Sequence, residues 1–300
     1  MKIIKSITGQ TALIGENDNI QSEYISSFQE FDDNKNLIKK VIYSENGEFE
    51  TFSEYKYDEK NKLIEEIQYL EEDEVGERIK YKYDDSGILI EETLIYSDGA
   101  SSIKKYNIDG NILTVNVYDE SGNLEEEEIK KFNDNDKILE VTIYNEDKEI
   151  DQKYTFDYDD KQNMICSTEY GNKGEFVVKK DLEYDEKGNL IKESSYNGKG
   201  RLINVLTFEH DENGNMTSQQ IGNRHLLKMT YDEQNRRIKE ETINLNINLV
   251  ETMKIFKYDE ESLLIEEISY DMGRQFTIEK GAKGISDSNY LSTKYKYEFK

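Results

Sequence analysis

An aromatic residue followed by an acidic one recurs along this chain at a nearly fixed interval, and that interval restricts the fold more than any other property. Phe31-Asp32, Tyr57-Asp58 and Tyr83-Asp84 are spaced 26 residues apart, as are Phe132-Asn133, Tyr158-Asp159, Tyr184-Asp185 and His210-Asp211. Ile108-Asp109 joins the two series with steps of 25 and 24, and Tyr231-Asp232 and Tyr258-Asp259 follow with steps of 21 and 27. Such anchors define a tandem repeat, whose units stack on their neighbours because one short unit cannot bury its own apolar surface.

Each unit holds two turns. The first follows the anchor, as in Asp58-Glu59-Lys60-Asn61-Lys62 and Asp185-Glu186-Lys187-Gly188-Asn189. The second lies half a unit further on, as in Tyr43-Ser44-Glu45-Asn46-Gly47 and Tyr196-Asn197-Gly198-Lys199-Gly200. Asp and Asn close such turns with their own side chains, and Gly or Asn accepts the positive φ they require. The segments between turns have strand length, about 7–9 residues. The reading is therefore all-β: a long antiparallel meander of about twenty strands, built from double-turn repeats of about 26 residues and forming a twisted or wound open sheet. Residues 1–30 lack the anchor and are expected to form N-terminal capping strands. Residues 31–272 hold the repeats, and residues 273–300 form a C-terminal cap whose lysines (Lys280, Lys283, Lys294, Lys296 and Lys300) guard an edge.

The strand after each first turn opens with two adjacent apolar residues: Leu37-Ile38, Leu63-Ile64, Leu89-Ile90, Ile138-Leu139, Leu190-Ile191 and Leu264-Ile265. Neighbours in a strand point to opposite faces. Each face is thus expected to carry an apolar row near the first turn, in a sheet partly covered on both sides.

Composition narrows the function. Against 39 Lys and Arg stand 65 Asp and Glu, a net charge of −26. Charge of this sign repels phosphate, which argues against direct binding of nucleic acid or an anionic membrane. One cysteine excludes an internal disulfide framework and a multi-cysteine metal site, and two histidines argue against a histidine-rich one. The longest apolar runs are too short for a membrane-spanning helix. The N-terminal Met1-Lys2-Ile3-Ile4-Lys5 lacks the continuous apolar core of a signal peptide, so a cytoplasmic location is expected. Proline is absent, as suits a chain whose backbone N–H groups are needed for ladders.

The units Tyr81-Lys82-Tyr83-Asp84-Asp85-Ser86-Gly87-Ile88-Leu89 and Leu182-Glu183-Tyr184-Asp185-Glu186-Lys187-Gly188-Asn189-Leu190-Ile191 resemble YD repeats of the RHS type, which have the form Tyr-x-Tyr-Asp-x-x-Gly-x-Leu. The resemblance spans roughly residues 28–272 and puts Tyr57, Asp58, Tyr83, Asp84, Tyr158, Asp159, Tyr184, Asp185, Tyr231, Asp232, Tyr258 and Asp259 in the role of repeat anchors. It implies a continuous β-hairpin sheet and a polymorphic-toxin neighbourhood. The chain is too short for the closed shell of that family and has neither a self-cleaving core nor a separate toxin domain. The Arg common after the turn Gly is mostly Asn or Lys.

Chemistry is sparse. The carboxylate pairs Glu65-Glu66, Glu91-Glu92, Glu240-Glu241 and Glu266-Glu267 cannot converge as glycosidase carboxyls must, because adjacent strand residues diverge. Asp32-x-Asn34-x-Asn36 and Asp211-x-Asn213-x-Asn215 open like a calcium loop. They lack its glycine at position six, where Leu37 and Met216 stand, and its glutamate at position twelve, where Tyr43 and Gly222 stand. Cys166 reads as a small strand residue and His210 as a stand-in for an anchor aromatic. No nucleophile elbow, phosphate loop or dinucleotide fingerprint occurs. No enzyme, cofactor or metal is expected. The acid runs Glu71-Glu72-Asp73-Glu74 and Glu125-Glu126-Glu127-Glu128 remain as a docking surface for a basic protein, on one rim of the sheet. An immunity protein against a nuclease-type toxin is one form of that function, and a phage-encoded inhibitor of a nucleic-acid-handling enzyme is another. The alternative is a structural or adhesive protein that binds glycan through tyrosines.

Overall fold

The computed structural model describes residues 3–15, 18–71, 73–271 and 290–300. Met1, Lys2, Glu72, Lys280 and Lys283 lie outside the described residues. The secondary structure is strand throughout, with no α-helix among the described residues. In chain order the strands are β1 (Ile4–Ile14), β2 (Ile20–Phe31), β3 (Leu37–Tyr43), β4 (Phe49–Tyr57), β5 (Leu63–Glu71), β6 (Glu74–Tyr83), β7 (Leu89–Tyr96), β8 (Ser101–Asp109), β9 (Ile112–Tyr118), β10 (Leu124–Phe132) and β11 (Ile138–Tyr144). They continue as β12 (Ile150–Tyr158), β13 (Met164–Tyr170), β14 (Phe176–Tyr184), β15 (Leu190–Asn197), β16 (Leu202–His210), β17 (Met216–Ile221), β18 (His225–Tyr231), β19 (Arg237–Asn244), β20 (Leu249–Tyr258), β21 (Leu264–Asp271) and β22 (Tyr290–Phe299).

The chain divides into two compact units. One comprises Met1–Tyr55, Tyr69–Asp73 and Thr207–Lys300, the other Lys56–Gln68 and Glu74–Leu206. In the second unit, strands β6 to β15 pair antiparallel in sequence order. In the first unit, β17 to β22 do the same, and β1 to β4 continue the sheet beyond β22. β1 lies between β22 and β2, with Ser6 opposite both Glu298 and Glu30. An open meander would leave these two terminal strands as edges. Instead they cover one another.

The turns follow one pattern. Asp58 N–H donates to the Lys62 carbonyl at 2.9 Å, and Asn61 N–H donates to the Asp58 carbonyl at 3.0 Å. Asn61 has φ 61°, so a type I turn ends in a left-handed residue that forms a bulge. The Asp58 carboxylate accepts the N–H groups of Lys60 and Lys62 at 2.8 and 2.9 Å. The anchor acid is thus the acceptor that sets the turn. The same paired backbone bonds recur at both turn classes, for example at Asp185–Asn189 and Asn197–Arg201.

Both slips in the repeat have a structural cause. Between β8 and β9 only Gly110 and Asn111 connect the strands, where five residues connect β4 to β5. This removes three residues. Around residues 211–231, β17 has six residues, β18 has seven, and the turn between them has three, which accounts for the short step.

The anchor tyrosines stitch unit to unit. Tyr83 Oη donates to the Leu63 carbonyl at 2.7 Å, Tyr158 to Ile138 at 2.8 Å and Tyr184 to Met164 at 2.8 Å. Tyr231 and Tyr258 do the same with Met216 and Arg237, both at 2.9 Å. In each case the acceptor is the first residue of the strand after the preceding first turn. Tyr297 belongs to this set, with its hydroxyl 2.8 Å from the Leu264 carbonyl.

Burial is distributed as rows across the strands. On one face Val41, Ile67, Thr142, Ser194 and Ile268 occupy the same repeat position and are 3–9% exposed. On the other face Val115, Val141, Leu182, Met229 and Phe256 are buried. No large side chain is fully enclosed among the described residues. Four of the six adjacent apolar pairs depart from expectation: their second members Ile64, Leu139, Ile191 and Ile265 are 37–41% exposed, while Ile38 and Ile90 are half-buried. The first members are half-buried, and neighbours in a strand point to opposite faces.

Candidate functional site

The two faces of the sheet carry different charge arrangements. On the first face, the residue before the anchor lies directly opposite the third residue of the following strand, and in five repeats the two are oppositely charged, whereas Asp157 faces Cys166, Asn107 faces Thr114 and Thr230 faces Lys239. Lys82 faces Glu91, Lys131 faces Glu140, and Lys257 faces Glu266; Glu30 faces Lys39 and Glu183 faces Lys192 with the signs reversed. Ion pairs form at 2.7 Å for Lys131–Glu140, 2.6 Å for Lys192–Glu183 and 2.7 Å for Lys257–Glu266. Glu140 also takes Lys153 at 2.6 Å, and Glu65 takes Lys56 at 2.6 Å and Arg78 at 3.5 Å. Hydrogen bonds from these cations, foremost Lys131 and Lys56, hold the carboxyls of Glu140 and Glu65 below the usual range. In these repeats the face neutralises its own acids.

The second face also pairs acids, Glu193 with Lys180 at 3.1 Å, Glu240 with Arg237 at 2.8 Å and Glu267 with Lys254 at 3.0 Å, but sets them against apolar groups. The position two before the anchor is usually apolar or aromatic, and the residue opposite it is often acidic: Tyr81 faces Glu92, Leu182 faces Glu193, Met229 faces Glu240 and Phe256 faces Glu267. Burial first, then Glu66 and Glu92, push the Tyr81 phenol up to about 12. Burial and the neighbouring Glu92 carboxylate push Tyr106 higher still. Further along, a cavity of about 220 Å³ is lined by Phe156, Glu169, Val178, Lys180 and Leu182. It is smaller than the roughly 300–1,000 Å³ of ordinary ligand sites.

The turn rims carry the uncompensated charge. In the second unit the residue after the first-turn anchor is an exposed acid in five repeats, Glu59, Asp85, Asp134, Asp160 and Glu186, and Gly110 follows Ile108-Asp109. In the first unit Asp33, Glu212, Glu233 and Glu260 take this position. Asp33 pairs with Lys300. Glu59, Asp85, Asp134, Asp160, Glu186, Glu233 and Glu260 make no ion pair among the described residues. Within a sheet, successive turns on one rim stand two strands apart, about 10 Å.

The acid runs are distributed differently from a single rim. Glu71 ends β5, Asp73 lies in the turn and Glu74 opens β6, all exposed. Glu125 to Glu128 lie within β10, where neighbours alternate between faces. Glu125 and Glu126 are exposed, whereas Glu127 and Glu128 are half-buried, with Glu128 2.9 Å from Lys130. The first-turn acids are visible in the sequence, where their positions read as turn chemistry alone.

The remaining candidates have structural surroundings. The carboxylates of Asp32 and Asp211 accept backbone N–H groups of their own turns and the side-chain amides of Asn36 and Asn215. No group of three or more metal-ligating side chains occurs among the described residues. Cys166 lies opposite Asp157 and Asp181, and burial raises its thiol, the reverse of an activated nucleophile. His225 Nε2 lies 3.4 Å from Glu251, and His210 Nδ1 is buried without a hydrogen-bond partner among the described residues. No helix among the described residues is long and apolar enough to cross a membrane.

Strand pairing, turns and faces together define an all-β hairpin-repeat protein. A family model described as an uncharacterised protein matches residues 69–181. No curated protein matches the chain. Among solved structures it is similar to the crystal structure of TcdB2-TccC3-TEV, at 12% identity and a TM-score of 0.41, over 81% of this chain and 15% of that one. It is similar to the Tc holotoxin pore of Photorhabdus luminescens at 10% identity and a TM-score of 0.32, over 88% of this chain and 19% of that one. It is also similar to a porin-like protein from Bacteroides uniformis, at 9% identity and a TM-score of 0.31, over 98% of each chain. The chain thus spans less than a fifth of the Tc toxin chains it matches.

Proposed function

We propose that this chain is a non-enzymatic binding protein of the YD-repeat type that holds, and thereby inhibits, a basic protein partner in the cytoplasm. One observation carries the reading: the excess acid is not spread evenly. The first-face acids Glu140, Glu183 and Glu266 are matched by lysines, while the exposed turn acids Glu59, Asp85, Asp134, Asp160, Glu186, Glu233 and Glu260 make no ion pair among the described residues. Glu71, Asp73, Glu74, Glu125 and Glu126 add to this exposed charge. Anionic groups fixed on short turns present a field without the entropy cost of ordering a flexible tail, and such a field speeds encounter with a cationic partner. A nuclease-type toxin or a nucleic-acid-handling enzyme has the required basic surface. The same field works against direct contact with nucleic acid or an anionic membrane.

The test is retention of host proteins on the immobilised chain at low and at high salt. The expected result is a basic protein held at low salt and released as screening shortens the reach of the field. Retention of nothing basic, or retention indifferent to salt, overturns the proposal.

A further inference from the structure

The chain contains a bound guanidinium of its own. Arg237 holds its guanidinium 4.9 Å from the Phe256 ring centre and 2.8 Å from the Glu240 carboxylate. Glu240 lies opposite Lys254, and Phe256 stands two residues further along the same strand. Lys254 turns away to Glu267, at 3.0 Å, and leaves Glu240 to the arginine. An aromatic wall, a carboxylate and a guanidinium thus form one seat on the second face of β19 and β20.

The repeat places the same seat on β7 and β8. Glu92 lies opposite Lys104, and Tyr106 stands two residues further along. Tyr106 takes the position of Phe256 and Glu92 that of Glu240, while Leu89 stands where Arg237 does. A second ring is added, because Tyr81 lies directly opposite Glu92 on β6. Glu92 is half-buried and makes no ion pair among the described residues, and neither does Lys104. The seat therefore has a carboxylate, to which the Tyr106 hydroxyl hydrogen-bonds, and two phenol rings; the opposed Lys104 is exposed and makes no ion pair with it, and among the described residues no guanidinium of the chain takes the place of Arg237.

We propose that Glu92, between Tyr81 and Tyr106, receives an arginine side chain of the basic partner. This rests on the function proposed above and names the group that is recognised. A carboxylate flanked by rings suits guanidinium better than ammonium, since the planar ion stacks and donates in parallel.

The experiment uses the full chain and a fluorescein-labelled tetra-arginine peptide, followed by fluorescence anisotropy at low salt. Four variants are compared, with circular dichroism as the check on folding. Glu92→Gln, Leu89→Arg and Glu120→Gln each change the net charge by one unit in the same direction. Glu92→Gln is expected to weaken binding about tenfold. Leu89→Arg, which supplies a resident guanidinium as in the Arg237 seat, is expected to weaken it by a similar factor. Glu120→Gln, at an exposed second turn, is expected to change it less than twofold. Tyr106→Phe recreates the Phe256 wall and is expected to keep or tighten binding. Equal weakening by Glu92→Gln and Glu120→Gln, or full binding by Leu89→Arg, overturns the site. If salt still abolishes binding in that case, the basic-partner reading stands. Absence of peptide binding by the unsubstituted chain overturns both.

Discussion

Lys257 Nζ lies 2.7 Å from the Glu266 carboxylate in directly opposed strand positions, and at the equivalent position of another repeat Glu183 and Lys192 make the same contact with their charges exchanged, at 2.6 Å. Complementarity is retained where the individual signs are not. Where the position holds two charges they are opposite, and either strand can carry the cation. Reversing one member is expected to destabilise and reversing both to restore. Glu183→Lys should cost about 0.5–1 kcal/mol, and Glu183→Lys with Lys192→Glu should recover most of it, in a double-mutant cycle of urea unfolding. A double variant no more stable than Glu183→Lys refutes the pairing.

The tyrosine stitch yields a second expectation. Tyr184→Phe keeps the ring and removes the hydroxyl that donates to the Met164 carbonyl. The loss should be about 1 kcal/mol in the same unfolding assay. Phe132 already fills an anchor position without a hydroxyl, so the fold tolerates the change.

The turn carboxylates set an acid dependence. The side-chain hydrogen bond from Asn189, followed by bonds from the backbone, holds the Asp185 carboxyl below its ordinary value. A group whose value is lower in the folded chain stabilises fully above the unfolded value, near 3.8–4, and loses this as pH falls through the folded value. Asp185→Asn preserves the turn, as Asn133 and Asn145 do in their own turns. The stability difference between the natural chain and Asp185→Asn should shrink as pH falls from about 6 to about 3. A difference that is constant over this range refutes the assignment.

Backbone sign gives the fourth. Gly188 has φ +89° and open space where a Cβ would stand, so Gly188→Ala isolates the conformational cost and should lose about 1 kcal/mol. Lys148 already occupies the left-handed region at φ 61°, so Lys148→Gly should gain a comparable amount. Thermal unfolding of both variants, moving in opposite directions, is the check.

The anchors and turns were legible in the sequence because Asp58, Asp185 and their equivalents act within five residues of chain. Tyr297 is hidden there because Glu298, in place of the Asp or Asn of the other anchors, follows it and it lies 39 residues past the previous anchor. The partnership of β1 with β22 carries no local signal, since Ser6 and Glu298 meet only through folding. The apolar pairs suggested two covered faces, but the second members Ile64, Leu139, Ile191 and Ile265 are exposed. The Glu92 seat depends on register across three strands, which puts Tyr81 and Tyr106 beside one carboxylate; spacing along the chain does not reveal this.

Among the described residues most strands find their partner across a single turn, and β1 with β22 is the pairing most distant in sequence. The contacts within hairpins are therefore of low sequence separation and can form early and independently, as in a zipper. Joining β1 to β22 brings together residues more than 280 positions apart, the largest loop-closure entropy in the first unit. Refolding should accordingly show fast acquisition of hairpin signal and a later, separate phase for this one seam, so that the order of assembly is written into which strands are neighbours in sequence.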